Sequence, residues 1–533
     1  MKIKGLILIV LLTCVITGCQ QQKNSPDTTS KTQVTAYVGT AIFEGSLDPI
    51  KGAMSYGYPF TNNALLKVDV NSAYVGDLAE SYDISEDALT YTFHLKKGIQ
   101  FSNGSEFTAK DVVFTYETVK NNQAKNENVD LTRLETVMAK DDYTVEFQLK
   151  EPYSPFLDTT AMLQIVPADA YNGDTFDTMP VGTGPWKVVQ YDSNQQIIVE
   201  ANENYYDGAP KLQRVTLVYM DQDTAFAAAD SGQLDIVMVG ANYAGENVAG
   251  MKLEALETMD VRNVSLPVRK EQKGKNKDGE EVVVGNNVTS DKAVRQALDI
   301  GIDRQRMIEH AFNGVGVPAQ SFTSNLVWAD AKEVEDGKKE QAEEILEQAG
   351  WTDEDGDGIR EKEGIPCSFC VYASAGDKER YLLAMALAEE AKNLGIQIQV
   401  KTATWDEITT LQNTSGVVWG WGQYSPTVLY SLFQSDLFLS GGYDNVVGYD
   451  NPLVDEKINE ALNSNKEGDA INAWKEVQKI AGEDSPYLYL VNIQHCYFVK
   501  EGLDISKDTQ IPHPHGHGSP IICNMKDWSW MQQ

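Results

Sequence analysis

The chain has 533 residues, too many for one hydrophobic core, and at about 150 residues per domain it should fold as about three lobes. With 42% hydrophobic and 23% charged residues it has the composition of a globular protein and not of a disordered chain. A formal net charge of -34 without a basic patch argues against nucleic acid as a partner.

In chain order, "MKIKGLILIVLLTCVITGC" opens with Lys2 and Lys4, continues with an apolar run from Leu6 to Ile16, and ends in small residues before Cys19. That is the layout of a secretion signal, residues 1–18, too short to span a membrane comfortably. "VITGC" resembles a bacterial lipobox, in which Cys19 carries lipid after cleavage behind Gly18. Residues 19–33 are polar and read as a flexible tether to a membrane surface. An exported chain permits disulfides. Cys367, Cys370, Cys496 and Cys523 are then buried thiols, or Cys496 pairs with Cys523, or the two in "PCSFC" pair with each other.

Beyond the tether, short period-two strands alternate with amphipathic helices, which indicates an α/β or α+β class. "TYTFHLKKGIQF" alternates Tyr91, Phe93 and Leu95 with polar residues, as a half-buried strand does. "TAKDVVFTYETVK" follows as a helix with Thr108 at its N-cap and Val112, Tyr116 and Val119 on one face. Two stretches read as surface insertions. Residues 270–287 form a charged hairpin pattern. "WTDEDGDGIREKEG" fits an EF-hand loop at Asp353, Asp355, Asp357 and Gly358, but Gly364 stands where a bidentate glutamate is needed. It reads as an acidic connection from helix to strand, with weak calcium binding as the alternative.

Four stretches resemble family 5 of the bacterial solute-binding proteins, which serve peptide and nickel ABC importers. They are "LDPI" (47–50), "LAESYDISEDALTYTFHLKKGIQFSNGSEFTAKDVVFTYE" (78–117), "VGTGPWKVVQYDSNQQIIVEANENYYDGAPKLQRVTLVYM" (181–220) and "VRQALDIGIDRQRMI" (294–308). The resemblance implies a two-lobed periplasmic-binding-protein-like α/β fold (type II, cluster C-like) that closes on a ligand about a hinge. Lobe I would comprise residues 34–265 and 490–533, with an extra subdomain at about 90–170. Lobe II would comprise 266–489, and "YLYLVNIQHCYFV" would be the strand returning to lobe I.

Ligand pockets are apolar and aromatic with a few placed polar groups. The best candidate stretch is "GVVWGWGQYSPTVLYSLF", with Trp419, Trp421, Gln423 and Tyr424, although an aromatic core strand would read the same way. Trp186, held rigidly by "GTGPW", is a further candidate. In peptide-binding relatives an aspartate near this stretch pairs with the ligand amine, whereas here Gln423 and Ser425 occupy those places. Imidazoles suit transition metals, which makes His495, His513, His515 and His517 candidates for contact with a nickel-type chelate carried as ligand. "IPHPHGHGSP" reads equally as an irregular loop. No resident cofactor is required. The implied partners are an ABC permease with its ATPase subunits, at the outer face of the cytoplasmic membrane. An adhesin or signalling receptor on the same fold is the alternative. A secreted hydrolase finds no G-x-S-x-G and no H-E-x-x-H.

Overall fold

The computed structural model describes residues 31–43, 45–53, 60–122, 126, 129–514 and 520–531. The first strand, β1 (Gln33–Tyr37), leads into a separate four-stranded antiparallel sheet of β2 (Ala79–Ile84), β3 (Thr90–Leu95), β4 (Leu134–Asp141) and β5 (Thr144–Leu149), in the order β2–β3–β5–β4. Helix α1 (Ala109–Asn121) starts where the sequence places it, because the Asp111 carboxylate accepts the Thr108 N–H at 2.9 Å. Its apolar face packs Tyr116 against Phe147 of β5, ring centres 4.7 Å apart. A short helix, α2 (Phe156–Met162), is pinned to the same sheet by Phe156, which meets Tyr91 at 4.9 Å and Phe147 at 5.5 Å.

The chain then adds β6 (Trp186–Asp192), β7 (Gln196–Ala201), β8 (Arg214–Val218) and β9 (Ile236–Val239) around β1. A 15-residue strand, β10 (Met251–Ser265), carries it across to the other half of the molecule. There, helices α3 (Lys292–Gly301) and α4 (Arg304–Phe312) begin at side-chain caps, Asp291 on the Ala293 N–H and Asp303 on the Arg306 N–H. They are followed by β11 (Ser368–Ser374), α5 (Lys378–Lys392), β12 (Gln397–Ala403), β13 (Gly416–Trp421), α6 (Pro452–Leu462) and α7 (Glu467–Gly482). The 14-residue β14 (Tyr487–Lys500) returns.

One large sheet results, in the order β12–β11–β13–β10–β14–β9–β1–β8–β7–β6, with Val317–Pro318 also pairing with β14. β10 and β14 are antiparallel along nearly their whole length and belong to both halves. Strands usually run ~5–6 residues, so two of this length are the crossover of a two-lobed α/β fold with a subdomain on one lobe. Their ladder breaks between Glu257 and Val261, and a bulge of that kind leaves backbone groups unpaired. The C-terminal segment fills the gap: the Met259 N–H donates to the His513 carbonyl at 2.7 Å, and Thr258 bridges His513.

Several expectations are corrected here. All four described cysteines are free, so the unpaired-thiol reading holds, with Cys370 half-buried, and the two disulfide alternatives do not. Cys367 and Cys370 flank an odd step in extended chain, so Cys367 enters the core while Cys370 lies on the other side. Cys496 belongs to the core cluster with Phe498 and Cys367, whereas the Cys523 thiol donates to the side-chain amide oxygen Oε1 of Gln510 at 3.1 Å in the C-terminal segment. Trp186 is 1% exposed, sits in a core cluster with Val199, Leu217 and Tyr497, and lines neither the cavity bordered by Tyr424 nor the one at His495. The glycines before it serve close packing, since a Cβ at Gly182 would stand 2.0 Å from the Thr61 carbonyl oxygen and one at Gly184 2.5 Å from that of Phe60. The hairpin read at 270–287 forms between Gln272–Lys275 and Glu281–Val284.

Candidate functional site

Strand β13 builds one wall. Alternation puts Trp419 and Trp421 on the same face, where the rings stack at 5.6 Å, and Trp405 extends the stack on the far side of Trp419, also at 5.6 Å. Tyr443 closes on Trp419 edge-on at 5.4 Å, and the Trp419 indole N–H donates to the Ser265 hydroxyl at 3.0 Å. The Trp421 indole N–H has no acceptor among the described residues. Between the two tryptophans, Gly420 leaves room for a buried ion pair of Arg262 and Asp260, 3.1 Å apart; a Cβ there would stand 1.8 Å from the Arg262 guanidinium. The stretch that looked like either a ligand wall or a core strand is therefore mostly packed: Trp419 is buried and Trp421 half-buried.

The chain bends out of β13 at Gly422, where a Cβ would meet the Pro514 carbonyl oxygen at 2.1 Å, and then passes the exposed Gln423 to Tyr424. Tyr424 is 5% exposed, donates its hydroxyl to the Pro512 carbonyl at 2.8 Å and accepts the Trp328 indole N–H on its own carbonyl at 2.6 Å. It borders a cavity of about 280 Å³ whose walls come from both halves of the molecule. Tyr74, Tyr91 and Asp158 approach from the subdomain side, and Trp328, Tyr424 and Trp474 from the other. Two contacts join those sides at the rim. Ser154 donates its N–H to the Leu462 carbonyl at 3.0 Å and its hydroxyl to that of Ala461 at 2.9 Å, satisfying carbonyls that the end of α6 leaves open. The Asn465 amide donates to the Glu86 carbonyl at 3.3 Å.

Asp158 is the charged group of this cavity and was missed in the sequence. It projects from α2 one turn after Pro155, is 8% exposed, and has the Ser425 and Tyr74 hydroxyls as polar neighbours. Its Oδ2 has no partner in hydrogen-bond geometry among the described residues. Burial pushes its carboxyl up to about 6, against the opposing pull of the two hydroxyls. Burial and the neighbouring Asp158 hold the Tyr74 phenol well above its ordinary range. An acid does stand beside Ser425 after all, delivered from the opposite side of the cavity.

The histidines are placed differently. His495 and His513 are 5% and 1% exposed, with rings edge to face at 5.4 Å. They line a second cavity, about 350 Å³, with Glu257, Gln494, Asp508 and Gln510, which shares no residue with the cavity at Asp158. His513 thus lines a different cavity from Tyr424, and its backbone carbonyl bridges to Met259. His515, His517 and Cys19 lie outside the described residues. In the acidic loop, Asp353, Asp355 and Glu361 come together, all exposed or half-exposed, and Asp353 accepts the Gly356 and Gly358 N–H groups as a turn requires.

The description "Bacterial extracellular solute-binding proteins, family 5 Middle" matches residues 73–437. The chain belongs to this family. Among relatives, it is 32% identical over 483 residues to Protein XP55 of Streptomyces lividans, covering 88% of this chain and 85% of that one. It is 28% identical to the oligopeptide-binding protein AppA of Bacillus subtilis (strain 168), covering 94% of both. Among solved structures, NikZ of Campylobacter jejuni in complex with Ni(L-His) superposes with a TM-score of 0.72 at 22% identity, over 95% of this chain and 100% of that one, a likeness of fold. Family 5 members are extracellular solute-binding proteins, and among the described residues no helix is long and apolar enough to cross a membrane.

Proposed function

We propose that this chain captures a small solute between its lobes and hands it to an ABC permease with its ATPase subunits, as a non-enzymatic receptor lipid-anchored through Cys19. The observation that carries the reading is the cavity at Asp158, walled from both halves of the molecule and bridged at its rim by Ser154 and Asn465. In this reading lobe I comprises residues 34–265 and 490–533, lobe II 266–489, and β10 with β14 forms the hinge at the Glu257–Val261 break. Release of the solute requires the rim contacts to part. A tether over residues 19–33 keeps the receptor at high effective concentration near its permease, on the outer face of the cytoplasmic membrane.

A short peptide is the favoured solute, supported by the likeness to AppA over 94% of the chain and by the aromatic lining with a single strongly buried carboxylate. The cavity at His495 and His513 favours a second reading, a nickel-type chelate, because paired imidazoles beside Glu257 offer nitrogen and oxygen donors that suit such ions. Calorimetry separates the two. A defined tripeptide mixture should release heat that Tyr424→Ala abolishes; nickel with L-histidine should do so only if the second reading holds, with loss in His495→Ala. Silence from both sets contradicts capture of either solute.

A further inference from the structure

We infer that Asp158 is the specificity-determining residue of the interlobe cavity and that the solute it selects carries a positively charged ammonium or guanidinium group. The inference rests on the reading that this cavity holds the solute. Its geometric basis is the company Asp158 keeps. A carboxylate more than nine-tenths buried carries a large desolvation cost unless a cation or several donors meet it. Among the described residues no lysine or arginine acts on it; the Ser425 and Tyr74 hydroxyls are the side-chain donors that reach it, and its Oδ2 has no partner in hydrogen-bond geometry. What surrounds it is aromatic: Tyr74, Tyr91, Trp328, Tyr424 and Trp474 line the same space. Aromatic faces attract cations most where water is excluded, and a charge-assisted hydrogen bond to carboxylate is roughly twice as strong as a neutral one. Together they make a receptor for a cationic group, with Ser425 and Tyr74 as polar neighbours that help to orient the carboxylate.

The arrangement also dictates a pH dependence. The titratable or charged groups around Asp158 are Tyr74, Tyr82, Tyr91, Tyr153 and Tyr424, with Lys466 and Glu467 on the cavity wall. Burial holds the Tyr74, Tyr91 and Tyr153 phenols above their ordinary range, so the carboxyl of Asp158 governs the charge met by the solute. Once it is protonated it no longer neutralises a cation, and affinity for a cationic solute should weaken as the medium becomes acidic.

The test is a thermal-shift panel on the full-length mature protein. The probes are trialanine, N-acetyl-trialanine, agmatine, lysine methyl ester, glucose and citrate, each measured at pH 5 and pH 8. Stabilisation confined to the ammonium- and guanidinium-bearing members, stronger at pH 8, is expected. Asp158→Asn should lower their affinity more than tenfold and remove the pH effect, while Asp158→Glu retains part of the binding. Two results overturn the inference in distinguishable ways. If glucose, citrate or N-acetyl-trialanine stabilises the protein equally, or Asp158→Asn binds the cationic members unchanged, the cavity holds solutes but not through a cation. If no probe stabilises it and Tyr424→Ala has no effect either, the capture reading fails and the inference falls with it.

Discussion

Replacing Arg262 by methionine is expected to destabilise the protein by about 3–5 kcal/mol, the usual cost of removing one partner from a buried ion pair. Asp260 has a fully buried side chain and Arg262 one 5% exposed, so the carboxylate would remain in a poor dielectric without the cation that pairs with it at 3.1 Å. Arg380 and Asp377 stand nearby as a second pair at 2.9 Å, and Glu379 ties this cluster to the segment after β9 by accepting the Ala241 N–H at 2.6 Å. The arginine of that second pair is itself held below its ordinary range, to about 10, first by burial and then by Arg262. Loss of Arg262 relieves that repulsion, which puts the expected cost toward the lower end. The thermal midpoint should fall by several degrees, and Asp260→Asn added to Arg262→Met should restore much of it, because removing both charges leaves nothing unpaired. A double variant less stable than the single one would show that the pair does more than neutralise itself.

The second large effect is a stability difference that depends on pH. Asp158 has a folded-state pKa raised to about 6, by burial first. The unfolded carboxyl titrates near ~3.9. A raised carboxyl is a liability once ionised: the folded state holds the proton between about pH 4 and 6 while the unfolded state has released it, so stability falls as pH rises through that window. About two pKa units at ~1.4 kcal/mol each make the difference about 3 kcal/mol. Asp158→Asn does not titrate. It should therefore match the wild type near pH 4 and exceed it at pH 7–8, by an unfolding free energy measured in urea at each pH. A difference independent of pH would place the carboxylate in a better solvated environment than the cavity offers. A residue whose removal stabilises the chain while weakening solute capture has the pattern of a functional group held against stability.

How much of this was legible beforehand varies with sequence distance. The caps at Thr108 and Asp303 act within three residues, and local chemistry alone specifies them. Strand β14 was readable from its apolar run, Tyr487–Lys500, and the family motifs carried the two-lobed α/β arrangement with them. Trp186 misled because the rigidity of "GTGPW" is real but is spent on packing Gly182 and Gly184 against residues 60–61. "PHPH" reads differently in space: the segment reaches the β10–β14 break, Gly422 and Tyr424 through the carbonyls of Pro512, His513 and Pro514, which every residue type possesses. Asp158 was hidden because its meaning depends on Ser425, 267 positions away, and on Trp328 and Trp474 closing over it. Its one local trace is an acid inside the otherwise apolar and small run "PFLDTTAML".

Locking the rim decides whether the cavity at Asp158 fills from between the lobes. Glu86 and Asn465 are both exposed and joined only by the Asn465 amide on the Glu86 carbonyl, so Glu86→Cys with Asn465→Cys should fold normally and accept a short bis-maleimide bridge across the lobes. Native mass spectrometry of the bridged and unbridged double variant, each freed of solute by mild denaturant before bridging and then offered the tripeptide mixture, reads the outcome as retained mass. The unbridged protein should capture solute and the bridged protein should not, because the cavity at Asp158 fills only when the lobes part. Equal capture in both would contradict an interlobe site.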